Sequence, residues 1–172
     1  MIRPRGGDGH LHSRGVAIGG QGPGGAAAVT QVMGIDPGPK PGVVLLQIAG
    51  SVVVHAGRLR PDQVPDLIPA VELVAQERFI IGRGTTRRTK AGSQETLAYI
   101  EQVRAWVHAA GVRLVEYPAG TVKPWATDDR LRAFGCYVPG DHDRDAARHA
   151  LFAAVRSNLL PRRPVDSGNT SG

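Results

Sequence analysis

Asp36 closes an apolar run, "VMGID", and is followed at once by the turn residues of "PGPKPG". Glu77 stands in the same place on a second run, "VELVAQE". An acid where a strand leaves the core costs free energy unless it is used or solvated. Asp before Pro-Gly also starts tight turns well, so Asp36 alone reads equally as a turn residue. The second acid tips that balance, because sites in α/β sheets form outside strand ends. A third group, "GDHDRDAARHAL" (Gly140 to Leu151), opens the last helix with Asp141, His142, Asp143 and Asp145. One acid there would cap the free N–H groups and complement the helix dipole. Three acids and a histidine within five positions exceed that need. His142 and Asp145, three apart, can share one helix face, and so can Asp141 and Asp145. A cluster of Asp36, Glu77 and Asp145 repels itself unless a cation joins it. Mg²⁺ would turn it into a hard-oxygen site with open positions for water and phosphate. Two such ions about 4 Å apart stabilise both the attacking water and the leaving oxygen of a phosphodiester.

These side chains need a scaffold, and the apolar pattern predicts one. Thr30 to Asp36, Val43 to Ile48 and Val52 to Ala56 read as three consecutive strands, the last two joined at Gly50-Ser51. Pro65 and Pro69 limit residues 61–69 to a turn or two of helix. Val71 to Phe79 reads as a fourth strand and Arg83 to Ser93 as a loop. Gln94 to Ala110 is a helix with Leu97, Ile100, Val103 and Val107 on one face, Ser93 as cap and Gly111 as stop. Val112 to Val115 is a fifth strand. Lys123 to Phe134 is helical in pieces broken at Pro124, and a last helix runs from about Asp143 to Val155. A meander feeding alternating strands and helices predicts an α/β fold: a mixed five-stranded sheet flanked by helices.

At these residues a resemblance becomes specific. "GIDPG" with Asp36, Glu77 on the fourth strand, "YPAGTVK" (Tyr117 to Lys123) and "HDRDA" opening the last helix resemble the RuvC family of Holliday-junction resolvases. The match covers most of residues 32–156, and the segment "ATDDRLRAFGCYVPGDHDRDAARHAL" is most similar to RuvC-like proteins of actinobacterial phages. The resemblance implies an RNase H-like fold and a metal-dependent endonuclease that cuts four-way DNA junctions, leaving 5′-phosphate and 3′-hydroxyl ends. It implies catalytic and metal-binding roles for Asp36, Glu77 and Asp145, with Asp145 favoured over Asp141 and Asp143. His142 falls on a place that holds Asp or His in this family, as a further ligand or proton-transfer group. Lys123 would stabilise charge on the scissile phosphate. Mg²⁺, with Mn²⁺ as substitute and two ions per site, is the implied cofactor, and branched DNA cut by a homodimer the implied arrangement. The short, Pro-interrupted connection to Glu77 and the segment after Lys123 depart from the bacterial pattern. They put the usual dimer interface and junction-binding loops in question more than the metal site.

The rest of the chain agrees with a polyanionic partner. The net charge is +6 over 172 residues, which favours nucleic acid. "GRGTTRRTKAGS" (Gly82 to Ser93) holds Arg83, Arg87, Arg88 and Lys90 with Thr85 and Thr86 and no acid. Together with Lys123 these are candidate contacts to DNA phosphates. His149, a full turn past Asp145, reads as a helix-face residue, and Trp106 and Trp125 as core or interface. His10, His12 and His55 form no ligand set. Residues 1–29 hold nine of the 23 glycines and residues 161–172 are polar, so both are expected to be disordered. Residues 30–160 are the expected nuclease domain. No run approaches the roughly 18 apolar residues of a membrane span. Cys136 stands alone and fits a reducing, cytoplasmic setting. No small-molecule cofactor is expected. Within the same fold, a nuclease for flaps, forks or RNA–DNA hybrids is the first rival. A non-catalytic DNA-binding protein is the second, and an ATPase or sugar-kinase relative the third. The last needs a second such domain and a second phosphate loop, for which the chain has no room.

Overall fold

The computed structural model describes residues 28–79 and 87–164, with the backbone alone for 87–93. Five strands make one sheet: β1 (Val29–Asp36), β2 (Gly42–Ala49), β3 (Val52–Leu59), β4 (Leu73–Glu77) and β5 (Arg113–Tyr117). Their order is β3-β2-β1-β4-β5. The first three form the antiparallel meander, while β1–β4 and β4–β5 are parallel. The helices are α1 (Val64–Leu67), α2 (Arg87–Ala110), α3 (Ala119–Val122), α4 (Asp128–Ala133) and α5 (Asp141–Arg156). Single 3₁₀ turns at Pro61–Gln63 and Ile68–Ala70 flank α1.

Alternation along the strands splits the core in two. Met33, Ile35, Val43, Leu45 and Val74 pack with Val64, Ile68, Val103 and Val107 on the α1/α2 side. Val32, Val44, Leu46, Leu73 and Ala75 pack with Ala147, Ala150, Leu151 and Leu131 on the α4/α5 side. Cys136, the chain's single cysteine, is a free thiol buried in this second layer. Burial pushes its pKa up to about 12. Continuing the same alternation places Asp36 and Glu77 on the α5 side of the sheet.

Several expected boundaries shift. The helix placed at Gln94 begins at Arg87, so Ser93 lies inside α2 rather than capping it. Arg, Lys and Ala sustain a helix, and the single Gly92 costs only about 1 kcal/mol against Ala. The fourth strand is shorter than expected and ends on Glu77, whereas β3 runs on to Leu59. The last helix starts at Asp141, with Gly140 as its N-cap. Around Pro124 the chain is interrupted as expected: α3 ends at Val122, and Thr127 opens α4 by accepting from the Arg130 N–H at 3.3 Å. Arg83, Thr85 and Thr86 lie outside the described residues, as do the side chains of Arg87, Arg88 and Lys90. Among the described residues no helix is long and apolar enough to cross a membrane.

Candidate active site

Parallel pairing of β1 with β4 matches Ile35 to Gln76. The next residues, Asp36 and Glu77, therefore leave the sheet side by side. Each exit is held by backbone bonds. The Gly38 N–H donates to the Asp36 carbonyl at 3.0 Å, and the Arg78 N–H to the Tyr117 carbonyl at 2.9 Å.

Helix α5 lies directly over these ends because two strand residues have no side chain. A Cβ on Gly34 would drive into the Ala146 carbonyl, and one on Gly42 into the His142 carbonyl. Glycine at both places lets the helix backbone approach the sheet. Its first two turns then carry His142 and Asp145 over Asp36 and Glu77.

The contacts divide into two groups. His142 Nδ1 lies 2.7 Å from Asp36 Oδ2. A carboxylate only accepts, so the Nδ1 proton donates to it. Lys123, which follows α3, places Nζ 2.7 Å from Asp145 Oδ2. Arg148 Nη1 pairs with Asp145 Oδ1, and its Nη2 with Asp128 Oδ1. Arg148 Nε donates to the Ala126 carbonyl at 3.1 Å. This triply anchored guanidinium is largely buried and ties Asp145 to the start of α4. His149, fully buried on α5, sets its Nε2 3.5 Å from Glu77 Oε2.

Asp36 feels the charges of both Glu77 and Asp145. Burial raises the Asp36 carboxyl above its ordinary range; the His142 bond opposes this, and the charges of Glu77 and Asp145 add to it. For Asp145, burial also acts upward, but the bonds from Lys123 and Arg148 outweigh it and hold the group below its usual value. The Asp145 bond likewise raises Lys123, against desolvation, and the Glu77 and Asp36 charges reinforce it. As the side chains stand, no three Asp, Glu, His or Cys groups among the described residues are gathered to hold one metal ion. Both Asp145 oxygens are taken by cationic side chains.

The competing acids of the last helix have other partners. Asp141 pairs with Arg144 and Asp143 with Arg58 of β3, each at 2.5 Å. Trp125 stacks edge-on against Phe152 at 5.3 Å, and Trp106 against Tyr99 at 6.4 Å, so both serve packing. Beside His142, a cleft of about 350 Å³ is lined by Lys40, Arg58 and Arg60. Neither these three bases nor Arg148 stands out from the sequence pattern. The spacing of Asp145 and Arg148, three apart on one helix, was the available signal for the latter.

No family model and no curated protein matches this chain. Among solved structures, RuvC of Thermus thermophilus in complex with a Holliday-junction substrate superposes with a TM-score of 0.54 at 18% identity, covering 79% of this chain and 99% of that one. A second structure of the same Thermus thermophilus protein gives 0.51 at 19% identity, covering 79% and 100%. The mixed sheet with its covering α5 therefore has the RuvC fold.

Proposed function

We propose that this chain is a divalent-cation-dependent endonuclease that resolves four-way DNA junctions, with residues 30–160 as its catalytic domain. One observation carries the reading. Asp36 and Glu77 leave adjacent parallel strands beneath His142 and Asp145, and Lys123 responds to the charge of all three acids. The RuvC fold, and the DNA junction bound by one of its structural neighbours, support the choice of substrate.

The donor chemistry fits a hard cation. Burial raises Asp36, and the charges of Glu77 and Asp145 add to it, so negative charge gathers here that a cation would relieve. Asp36, Glu77, Asp145 and His142 would hold Mg²⁺, or Mn²⁺ in its place, at two ions per site. When bound, these ions supply Lewis-acid stabilisation of the phosphodiester oxygens and a water of lowered pKa.

The chain's own groups do the rest. His142 holds a proton at Nδ1 against Asp36 and fixes that carboxylate's orientation. Lys123 is half exposed and reaches into the cluster on a flexible stem, so it can exchange Asp145 for a phosphate oxygen and offset charge there. Arg148 stays with Asp145 and keeps it ionised. Lys40, Arg58 and Arg60 offer phosphate contacts along the neighbouring cleft. Arg83, Thr85, Thr86, Arg87, Arg88 and Lys90, basic or hydroxyl-bearing in sequence, are further candidates for phosphate contact. Symmetric cutting of a junction needs two such sites, hence a homodimer working in the cytoplasm.

The test is cleavage of a four-way junction with Mg²⁺ by the native chain and by Asp36→Asn. Near-complete loss of cutting with junction binding retained is expected. Equal cutting by both overturns the reading. Flaps, forks and RNA–DNA hybrids in the same assay decide among branched substrates.

A further inference from the structure

His149 is fully buried, and among the described residues neither of its ring nitrogens has a hydrogen-bond partner. The adjoining stretch of α5, Ala150 to Ala154, is apolar and buried, so a leucine would satisfy packing at this position. A buried polar ring left unpaired calls for a specific reason. Nε2 faces Glu77 Oε2 at 3.5 Å. That is longer than a formed bond of about 2.7–3.2 Å. Hydrogen bonds at catalytic groups are often long before the ligands bind and tighten afterwards.

We propose that His149 is a positioning residue for Glu77, donating from Nε2–H to Oε2 and leaving Oε1 as the oxygen that takes the cation. A neutral imidazole has one N–H. Among the described residues Nε2 faces an acceptor and Nδ1 has no partner, so the proton belongs on Nε2. Fixing one carboxylate oxygen from behind restricts Glu77 to one orientation at the mouth of the site. Partners of this kind orient metal-binding carboxylates and tune their affinity. The inference rests on Glu77 being a cation ligand.

Titration calorimetry with Mn²⁺ on the full chain tests it, using the native protein, Asp36→Asn, His149→Leu and His149→Gln. His149→Leu is expected to weaken Mn²⁺ binding about 10–100-fold. His149→Gln, whose side-chain amide donates from a similar place, is expected to recover most of that loss. Nitrogen-15 NMR of the native protein is expected to place the His149 proton on Nε2. This measurement tests the inference even if His149→Leu does not fold. Unchanged affinity in a folded His149→Leu beside a loss in Asp36→Asn overturns this inference alone, as does a proton on Nδ1. Unchanged affinity in Asp36→Asn overturns the cation site and this inference with it.

Discussion

Replacing Gly34 with alanine should disable the site without touching any of its reactive groups. The new Cβ would lie 2.9 Å from the Ala150 Cβ and closer still to the Ala146 carbonyl. Carbon atoms rest at about 3.5–4.0 Å, so α5 must withdraw by on the order of 1 Å. Neither side can yield locally, since β1 is paired on both edges and the nearest obstructing atoms are helix backbone. Overpacking of this kind costs about 1–3 kcal/mol. In a chain of this size that lowers the melting temperature by roughly 2–4 °C per kcal/mol. The functional cost should be larger. Helix α5 carries His142, Asp145, Arg148 and His149, while Asp36 and Glu77 remain with the sheet. A misplacement of about 1 Å between catalytic groups can lower a rate about 100-fold. Thermal melting, junction binding by mobility shift and junction cutting with Mg²⁺ should be measured on one preparation of Gly34→Ala. The expected result is a modest drop in melting temperature, near-native binding and cutting reduced about 100-fold. Native melting together with native cutting would refute the claim that the missing side chain sets the helix height.

Other substitutions probe the charges. Asp36→Asn should melt higher than the native chain at pH 7 in metal-free buffer. The folded pKa of Asp36 lies above its unfolded value, so ionisation works against folding as pH rises through that range. The advantage should vanish in melts run below about pH 4, where both states are protonated. Asp145 has the opposite sign, because its folded pKa is depressed. It contributes stability above about pH 4 that is lost as pH falls through the folded value, so native and Asp145→Asn melting curves should converge in acid. Arg148→Ala should cost about 1–3 kcal/mol in urea denaturation, since it strips partners from Asp145, Asp128 and the Ala126 carbonyl. Arg148→Lys should restore little, because an ammonium cannot span three acceptors in a fixed plane.

The strand acids were legible in the sequence for a physical reason. An apolar run that ends on Asp36 or Glu77 declares both a buried strand and its exit, and the period of two sets the face. The meander was legible from its turns, and the Leu97/Ile100/Val103/Val107 stripe from its period, although the start of α2 was missed by seven residues. The engagements of Asp145 with Lys123 and Arg148 were not legible. They depend on how α5 is rotated and how close it lies, which Gly34 and Gly42 decide from strands about a hundred residues earlier in the chain. His149 shows the same limit. Its spacing from Asp145 placed it on the same helix face, but its burial against Glu77 is a property of the assembled layers. Similarly, Lys40, Arg58 and Arg60 come to line one cleft with His142 only once the meander folds.

Cys136 gives this protein an internal clock for its own opening. A thiol that is sealed in the α4/α5 layer and resists ionisation is inert toward alkylating reagents, which attack the thiolate. It becomes reactive only when that layer parts. With one sulfhydryl in the whole chain, the rate at which iodoacetamide consumes it would count openings of that layer, residue-specifically and without any engineered label.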